Sequence, residues 1–336
     1  MDVGLVIAVA LAVAFTATNG FHDAANSIAA LVATRAATPL QAIVLASVFN
    51  LLGPLLLGTA VANTIAGIVS VTPSAADQVI GAALASAVLW NLATWSRGLP
   101  ASSAQALVGG LVGAALAEGG VDAVNWGGLE GGHPVGVVGT LISLVISPPL
   151  GVLAALVVIR ALRRLGRRAT RRWGGPIRGG LWATGAALAF SHGANDAQKA
   201  VGVIAALLLA TGHISTLSAP SWVTVVCAAA LTAGTAVGGW RIIRTVGRGI
   251  YRIQRIEGLA STGASAAVIF AASVVGAPTS TSQVVASSIV GVGGGRWRWR
   301  HVHWEVVRHM GEAWLITLPI TAAVAAVIFE LWHGLA

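Results

Sequence analysis

Two stretches of this chain repeat one another 173 residues apart, and each sets a carboxylate inside an apolar run. They are Gly-Phe-His-Asp-Ala-Ala-Asn-Ser-Ile-Ala at 20–29 and Ser-His-Gly-Ala-Asn-Asp-Ala-Gln-Lys-Ala at 191–200. In register, Gly20 meets Gly193, His22 meets Asn195, Asp23 meets Asp196 and Asn26 meets Lys199. Lipid-embedded segments seldom carry such groups, because a carboxylate near the bilayer centre costs roughly 2.5–3.5 kcal/mol even on the mildest insertion scale. A costly group placed twice, at matching positions of two halves, points to a binding site at a repeat interface, as in secondary transporters.

Composition fixes the medium. Hydrophobic residues make up 56% of the 336 and charged residues 9%, with a mean hydropathy of +0.83, whereas a soluble domain carries about 25% charged residues. The chain reads as an all-α integral membrane protein with room for roughly ten spans of about 20 residues. The net charge of +9 could suggest nucleic acid, but the placement of the charge argues against it. All but one of the twenty basic residues are arginine, and apart from Arg35 and Arg97 these fall in three short blocks at 160–178, 241–255 and 296–308. Short basic loops between apolar segments mark the cytoplasmic side. The lone Cys227 excludes a disulfide framework and reads as a small packing residue. The chain begins without the basic n-region of a signal peptide, so residues 3–17 are read as the start of a retained first helix.

The apolar runs and loop charges trace ten crossings. The first half comprises a segment over 3–35 interrupted by Asn19, Gly20 and the first motif, then 39–62, 79–96, 100–117 and 135–159. The second half comprises 180–210, 221–240, 257–276, 278–294 and 312–333. Five crossings per half invert the second copy relative to the first. The expected organisation is a first inverted repeat at 1–160, a basic cytoplasmic linker at 161–178 and a second repeat at 179–336, with both termini extracellular. Two further echoes support duplication. Gly-Thr-Ala-Val-Ala at 58–62 resembles Gly-Thr-Ala-Val-Gly at 234–238. The segments 99–113 and 277–291 align Pro100 with Pro278, Ser102 with Ser280 and Gln105 with Gln283.

Those Pro-plus-hydroxyl segments open short Gly-rich apolar stretches. Proline fits the first helical turn and Ser/Thr supply N-cap oxygens, so each is expected to start a broken or re-entrant helix inside the membrane, its free N–H groups facing an oxyanion. The two Asp residues complicate an anion site. A carboxylate about 4 Å from an anion is repelled by roughly 4 kcal/mol at an effective dielectric of 20. Each must therefore be protonated, hold a cation or accept a hydrogen from the ligand, and all three couple anion binding to a cation or proton. A phosphate that carries hydrogen can donate to a carboxylate, and sulfate at neutral pH cannot. Lys199, the only lysine, is expected to pair with Asp196 or Asp23, with Asp196 three residues away on one helix face. His192 reads as a packing residue or a proton-relay member. His301 and His303 lack a third ligand, so no metal site is expected there. Trp297, Trp299 and Trp304 read as an interfacial belt.

With these residues in place, the chain resembles the inorganic phosphate transporter (PiT) family of phosphate permeases. The two copies of the signature and the paired Ser/Thr-rich segments carry the resemblance over essentially the whole chain. It implies a central midplane site in which Ser102, Ser103, Gln105, Thr279, Ser280, Thr281 and Gln283 bind phosphate. Asp23, Asn26, Asn195 and Asp196 complete that site in the resemblance, and together with Lys199, His22 and His192, which surround the motifs, they are expected to serve the coupling ion or proton. Two departures from the signature stand out: His22 replaces its Asn, and Gln198-Lys199 replaces its second small-residue-plus-Asn pair. Both resemble the bacterial low-affinity branch, which implies proton symport at the cell membrane, with phosphate taken in some cases as a neutral metal complex. The alternatives are sodium coupling and sulfate transport on the same scaffold, and more remotely an intramembrane enzyme. No cofactor or resident metal is expected. The expected partners are inorganic phosphate and the lipid bilayer, not nucleic acid, with self-association left open.

Overall fold

The computed structural model describes residues 3–70, 72–131, 133–166, 174–237, 250, 253–295 and 302–334. The first half runs through α1 (Val3–Ala33), α2 (Pro39–Leu56), the short α3 (Ala60–Ala66), α4 (Ala76–Ser96), α5 (Ser103–Gly119) and α6 (Gly136–Leu165). A small antiparallel hairpin, β1 (Gly128–Glu130) with β2 (His133–Val135), lies between α5 and α6 and sets Leu129 opposite Pro134. The second half runs through α7 (Gly174–Ala210), α8 (Ser221–Val237), α9 (Arg255–Val274), α10 (Thr281–Gly294) and α11 (Trp304–His333). Seven of the described helices are long and apolar enough to cross a membrane, which establishes a multi-pass membrane protein.

Local chemistry sets several helix starts. Thr38 and Gln41 form a capping box at α2, with Pro39 in the first turn. The Glu257 side chain reaches back to the Gln254 amide at 3.0 Å at the start of α9. Ser102 and Ser280 each take the same N-cap role, accepting from the amides of Gln105 and Gln283 at 3.2 and 3.4 Å. Their helices are the second arms of two helical hairpins, α4–α5 and α9–α10, whose turns are the hydroxyl-rich segments.

Packing is repeated between the halves and exchanged at the ends. Helix α1 lies on α8 as α7 lies on α2, and α1 lies on α4 as α7 lies on α9. The last helix of each half leaves its own half: α6 packs on α9 and α10, and α11 on α4 and α5. Each hairpin is thus backed by a helix from the other repeat, so neither half is complete alone.

The expected interruption of the first element does not occur. Helix α1 runs unbroken through Asn19, Gly20 and the motif, because Gly20 serves close approach. A side-chain carbon there would meet the main chain of Leu231, Gly234 and Thr235 on α8, and one on Gly193 would meet that of Asn50 on α2. Reciprocally, Gly234 lies against Ala17 and Phe21, and Gly53 against Phe190 and Ala194. Gly53 and Gly234 are therefore the structural mates. The likeness of 58–62 to 234–238 is incidental: Gly58 lies beyond α2 at φ +88° with nothing around it, whereas Gly234 is inside α8. The segment expected to cross over 39–62 also stops at Leu56, and α3 follows as a separate turn.

The two ends of the molecule differ in charge. Arg178 and Arg255 donate to the carbonyls of Ala36 and Thr34 just past α1, and Arg163 bonds Glu257 and the Gly295 carbonyl at 3.3 and 3.1 Å. At the opposite end, Gly4 of α1 abuts Asp77, and His333 of α11 lies 3.0 Å from Gln78. Arg167, Arg168, Arg171, Arg172, the arginines from 241 to 252 and from 296 to 300, Trp297, Trp299 and His301 lie outside the described residues.

Substituting Gly193→Ala or Gly20→Ala forces two helix backbones apart at the motif itself. We expect each to cost about 1–3 kcal/mol, read as a lowered thermal midpoint of the purified protein, while Gly58→Ala leaves the contacts between helices intact.

Candidate functional site

The two signatures meet at the centre. Helices α1 and α7 pack together, and ligand-type atoms of Asp23, His192 and Asp196 all lie within 4.8 Å of one another. All three side chains are buried, as are His22, Asn26, Asn195 and Lys199. The two hairpin turns close over this cluster from the two halves, and the Ser282 hydroxyl donates to the Ala101 carbonyl at 2.9 Å. Residues 173 positions apart in sequence and two tips 178 apart thus share one small volume.

Each carboxylate is held in the same way. Asp23 Oδ1 accepts from the Asn26 amide at 3.0 Å, and Oδ2 lies 3.5 Å from the Ser103 hydroxyl. Asp196 Oδ1 is paired with the Lys199 ammonium, and Oδ2 accepts from the Thr281 hydroxyl at 3.0 Å. Of the two partners expected for Lys199, the structure selects Asp196. The i,i+3 spacing places both partners on one helix face in each repeat, and the repeat-equivalent hydroxyl comes from the facing tip. Each tip is therefore tied to the carboxylate of its own half.

Other residues from the sequence reading orient this core. Thr279 N–H donates to Asn195 Oδ1 at 3.2 Å, and Asn195 Nδ2 donates to Ser273 at 3.0 Å, so Asn195 fixes the second tip on α9 and α7. The Thr279 carbonyl accepts from Lys199 at 2.9 Å. His22 bridges Asp23 and Thr94, with Nδ1 at 3.3 Å and Nε2 at 3.2 Å. His192 Nδ1 meets Asn50 Oδ1 at 3.1 Å, and its Nε2 lies 2.9 Å from Asp196. Ser102 and Ser280 are occupied as N-caps, and Gln283 is buried beside them in α10. Two tip atoms, Gln105 Oε1 and Thr279 Oγ1, are buried with no partner among the described residues. Buried polar atoms are nearly always paired, so these two leave hydrogen-bonding capacity free at the tips.

Several participants were missed. Asn50 links His192 to Thr235 at 2.9 Å, and Thr94 supports His22. Gln198 caps α3, its Oε1 accepting from the Val61 amide at 2.9 Å, which gives this departure from the signature a structural task. Asn19 is wholly buried, and neither its oxygen nor its nitrogen has a partner among the described residues. It stands one turn before Asp23, as His192 stands one turn before Asp196. An amide in an apolar run was the available signal for both Asn50 and Asn19. The Asp23–His192–Asp196 cluster was not legible either, since its members are far apart in sequence. A divalent ion there would meet the Lys199 ammonium on Asp196. Cys227 is buried in α8 and free, as a packing residue.

Replacing Asp23 by Asn leaves no unpaired cation behind, so Asp23→Asn should accumulate normally and lose gradient-driven uptake of the transported anion. Asp196→Asn strands the Lys199 ammonium, and removing one partner of a buried pair costs about 3–5 kcal/mol. We expect poor folding from it and recovery of folding, without uptake, in Asp196→Asn/Lys199→Met. Size-exclusion profiles and uptake into proteoliposomes separate the two effects.

Comparison with known proteins identifies the family. The phosphate transporter family matches the chain twice, over residues 19–177 and again over 167–325. A protein of Mycobacterium tuberculosis named "Probable low-affinity inorganic phosphate transporter" is 39% identical over 98% of this chain and 78% of its own length. One of the same name from Bacillus subtilis is 37% identical over 98% of both chains. A solved structure titled "The sodium-dependent phosphate transporter" shares the fold along the full length of both chains, with a TM-score of 0.87 at 24% identity. With two family matches spanning most of its length, this chain belongs to the phosphate transporter family.

Proposed function

We propose that the protein imports inorganic phosphate by proton symport, with alternating access to the site between the two hairpin tips. The observation that carries this reading is the convergence of two capped helix starts, at Ser102 and Ser280, over a pair of buried carboxylates. Free N–H groups in the first turns of α5 and α10 suit an oxyanion. The phosphate ligands are Ser102, Ser103, Gln105, Thr279, Ser280, Thr281 and Gln283. Gln105 Oε1 accepts a phosphate hydroxyl and Thr279 Oγ1 donates to a phosphate oxygen, which matches the two unpartnered tip atoms. A site that must receive a ligand hydrogen rejects an analogue lacking one by orders of magnitude, so phosphate is preferred over sulfate.

Asp23, with His22 and Asn26, carries the mobile proton, and Asp196 with His192, Asn195 and Lys199 forms the fixed half. An ammonium has three donors and no acceptor, so Lys199 denies sodium a ligand in the second repeat. A second reading, sodium symport, is favoured by the name of the structural neighbour and by the carboxylate and amide of Asp23 and Asn26, and it uses the same phosphate ligands. The discriminating measurement is uptake in sodium-free medium across an inward proton gradient. Full-rate uptake that collapses with a protonophore, and that sulfate does not compete, is the expected outcome. Strict sodium dependence would overturn the proton assignment alone, and equal competition by sulfate would overturn the selectivity argument.

We further propose that the protein sits in the cell membrane with its arginine-rich end, including the segment that joins α6 to α7, cytoplasmic, and with both termini outside. The support is that Gly4 and His333 lie at the end opposite Arg163, Arg178 and Arg255, together with the inward bias of basic loops. A cysteine placed after Gly334, in a chain lacking Cys227, should react with an impermeant maleimide in intact cells. Labelling only after lysis would reverse the orientation.

A further inference from the structure

The two carboxylates of the site are built alike but neutralised differently. In the first half a neutral amide, Asn26, sits on Asp23 Oδ1 at 3.0 Å. At the equivalent place in the second half a cation, the Lys199 ammonium, sits on Asp196 Oδ1. The tip hydroxyls repeat the match on the other oxygens, at Ser103 and Thr281. One turn earlier the contrast recurs: His192 lies 2.9 Å from Asp196, whereas Asn19 is wholly buried with both amide atoms unpartnered among the described residues. The second half therefore supplies its own positive charge, and the first half offers only neutral groups in the same positions.

The surroundings of the ammonium are those of a bound cation. Besides the carboxylate it touches the Thr279 carbonyl at 2.9 Å, in the non-helical stretch between α9 and α10. Secondary transporters hold coupling ions on carbonyls freed where a membrane helix is broken. A buried carboxylate needs such a partner in any case.

We propose that Lys199 is a built-in coupling cation: it fills the second repeat's ion position, so each cycle moves one mobile cation fewer than the two half-sites provide. Tethered to α7, the ammonium returns with the protein and adds nothing to the driving force. The cation that moves is taken in the first half, beside Asp23, where the matching positions hold the neutral side chains of Asn19 and Asn26. This inference rests on the symport reading above but not on which ion drives it.

The test is Lys199→Asn, which restores an amide over the Asp196 carboxylate and the Thr279 carbonyl. In lipid nanodiscs, sodium should raise the thermal midpoint of Lys199→Asn beyond any rise in wild type or Lys199→Met, because a ligand that binds only the folded state stabilises it. In proteoliposomes at zero membrane potential, a tenfold inward sodium gradient should let the variant sustain a phosphate ratio about tenfold above that of wild type, one added ion multiplying the ratio by the sodium ratio. Should Lys199→Asn not accumulate, Lys199→Ala titrated with ammonium chloride should recover the wild-type thermal midpoint, with choline chloride as the inert control. An unchanged phosphate ratio in Lys199→Asn, or in its place no recovery of Lys199→Ala by ammonium, overturns the proposal. If wild-type uptake proves to be sodium-driven, the proton assignment fails, yet the expected tenfold increment over wild type still tests Lys199.

Discussion

A carboxylate held away from water must be met by a cation, a proton or hydrogen-bond donors, and this chain holds two at its centre. The rest of the structure follows from that demand. Asp23 and Asp196 each take one partner from their own helix, at the i+3 position, and one from a hairpin tip. Moving a tip therefore changes what a carboxylate is bonded to. A tip and the carboxylate of its own half are linked in this way: when the tip hydroxyl leaves, the carboxylate loses one of its donors. Losing a hydrogen bond to a charged group costs about 1.5–3 kcal/mol, enough to bias a conformational equilibrium by more than tenfold.

The frame around the carboxylates is shaped by how closely helices must approach. Gly20 against Gly234 and Gly193 against Gly53 bring main chain to main chain beside each motif, as small residues do in membranes, where dispersion and backbone proximity replace the hydrophobic drive. This approach sets α1 on α8 and α7 on α2, joining the two halves where their ionic groups sit. The exchange of α6 and α11 adds a second tie, since each hairpin leans on a helix from the other repeat. A hairpin cannot shift without the opposite half registering it.

Differences between the halves are as informative as their likeness. The same geometry carries Asn26 in one and Lys199 in the other, and Asn19 in one and His192 in the other. Chemistry diverged while packing stayed fixed, because the partners of the carboxylates changed and their positions did not. Gln198 shows the reverse case: a motif departure absorbed by a structural task, capping α3, rather than by the site.

The membrane class, the duplication and many of the polar side chains that gather at the candidate site were legible in the sequence because the cost of burying charge leaves a mark. Asp23, Asp196, Lys199 and the two hydroxyl segments are too polar for lipid unless they serve a purpose, and each has a mate in the other half. The family followed from those same residues. The sequence misled where a match had no energetic cost behind it: small residues at 58–62 and 234–238 look alike by chance, and a glycine inside a motif looks like a break when it is a contact. What only the tertiary structure decided was proximity. That Lys199 chooses Asp196 over Asp23, that His192 rests on Asn50, that Asn19 stands unpartnered, and that three ligand-type atoms gather within 4.8 Å all depend on how helices far apart in the chain cross. Burial cost names which side chains must find partners, and helix crossing decides which partners they find.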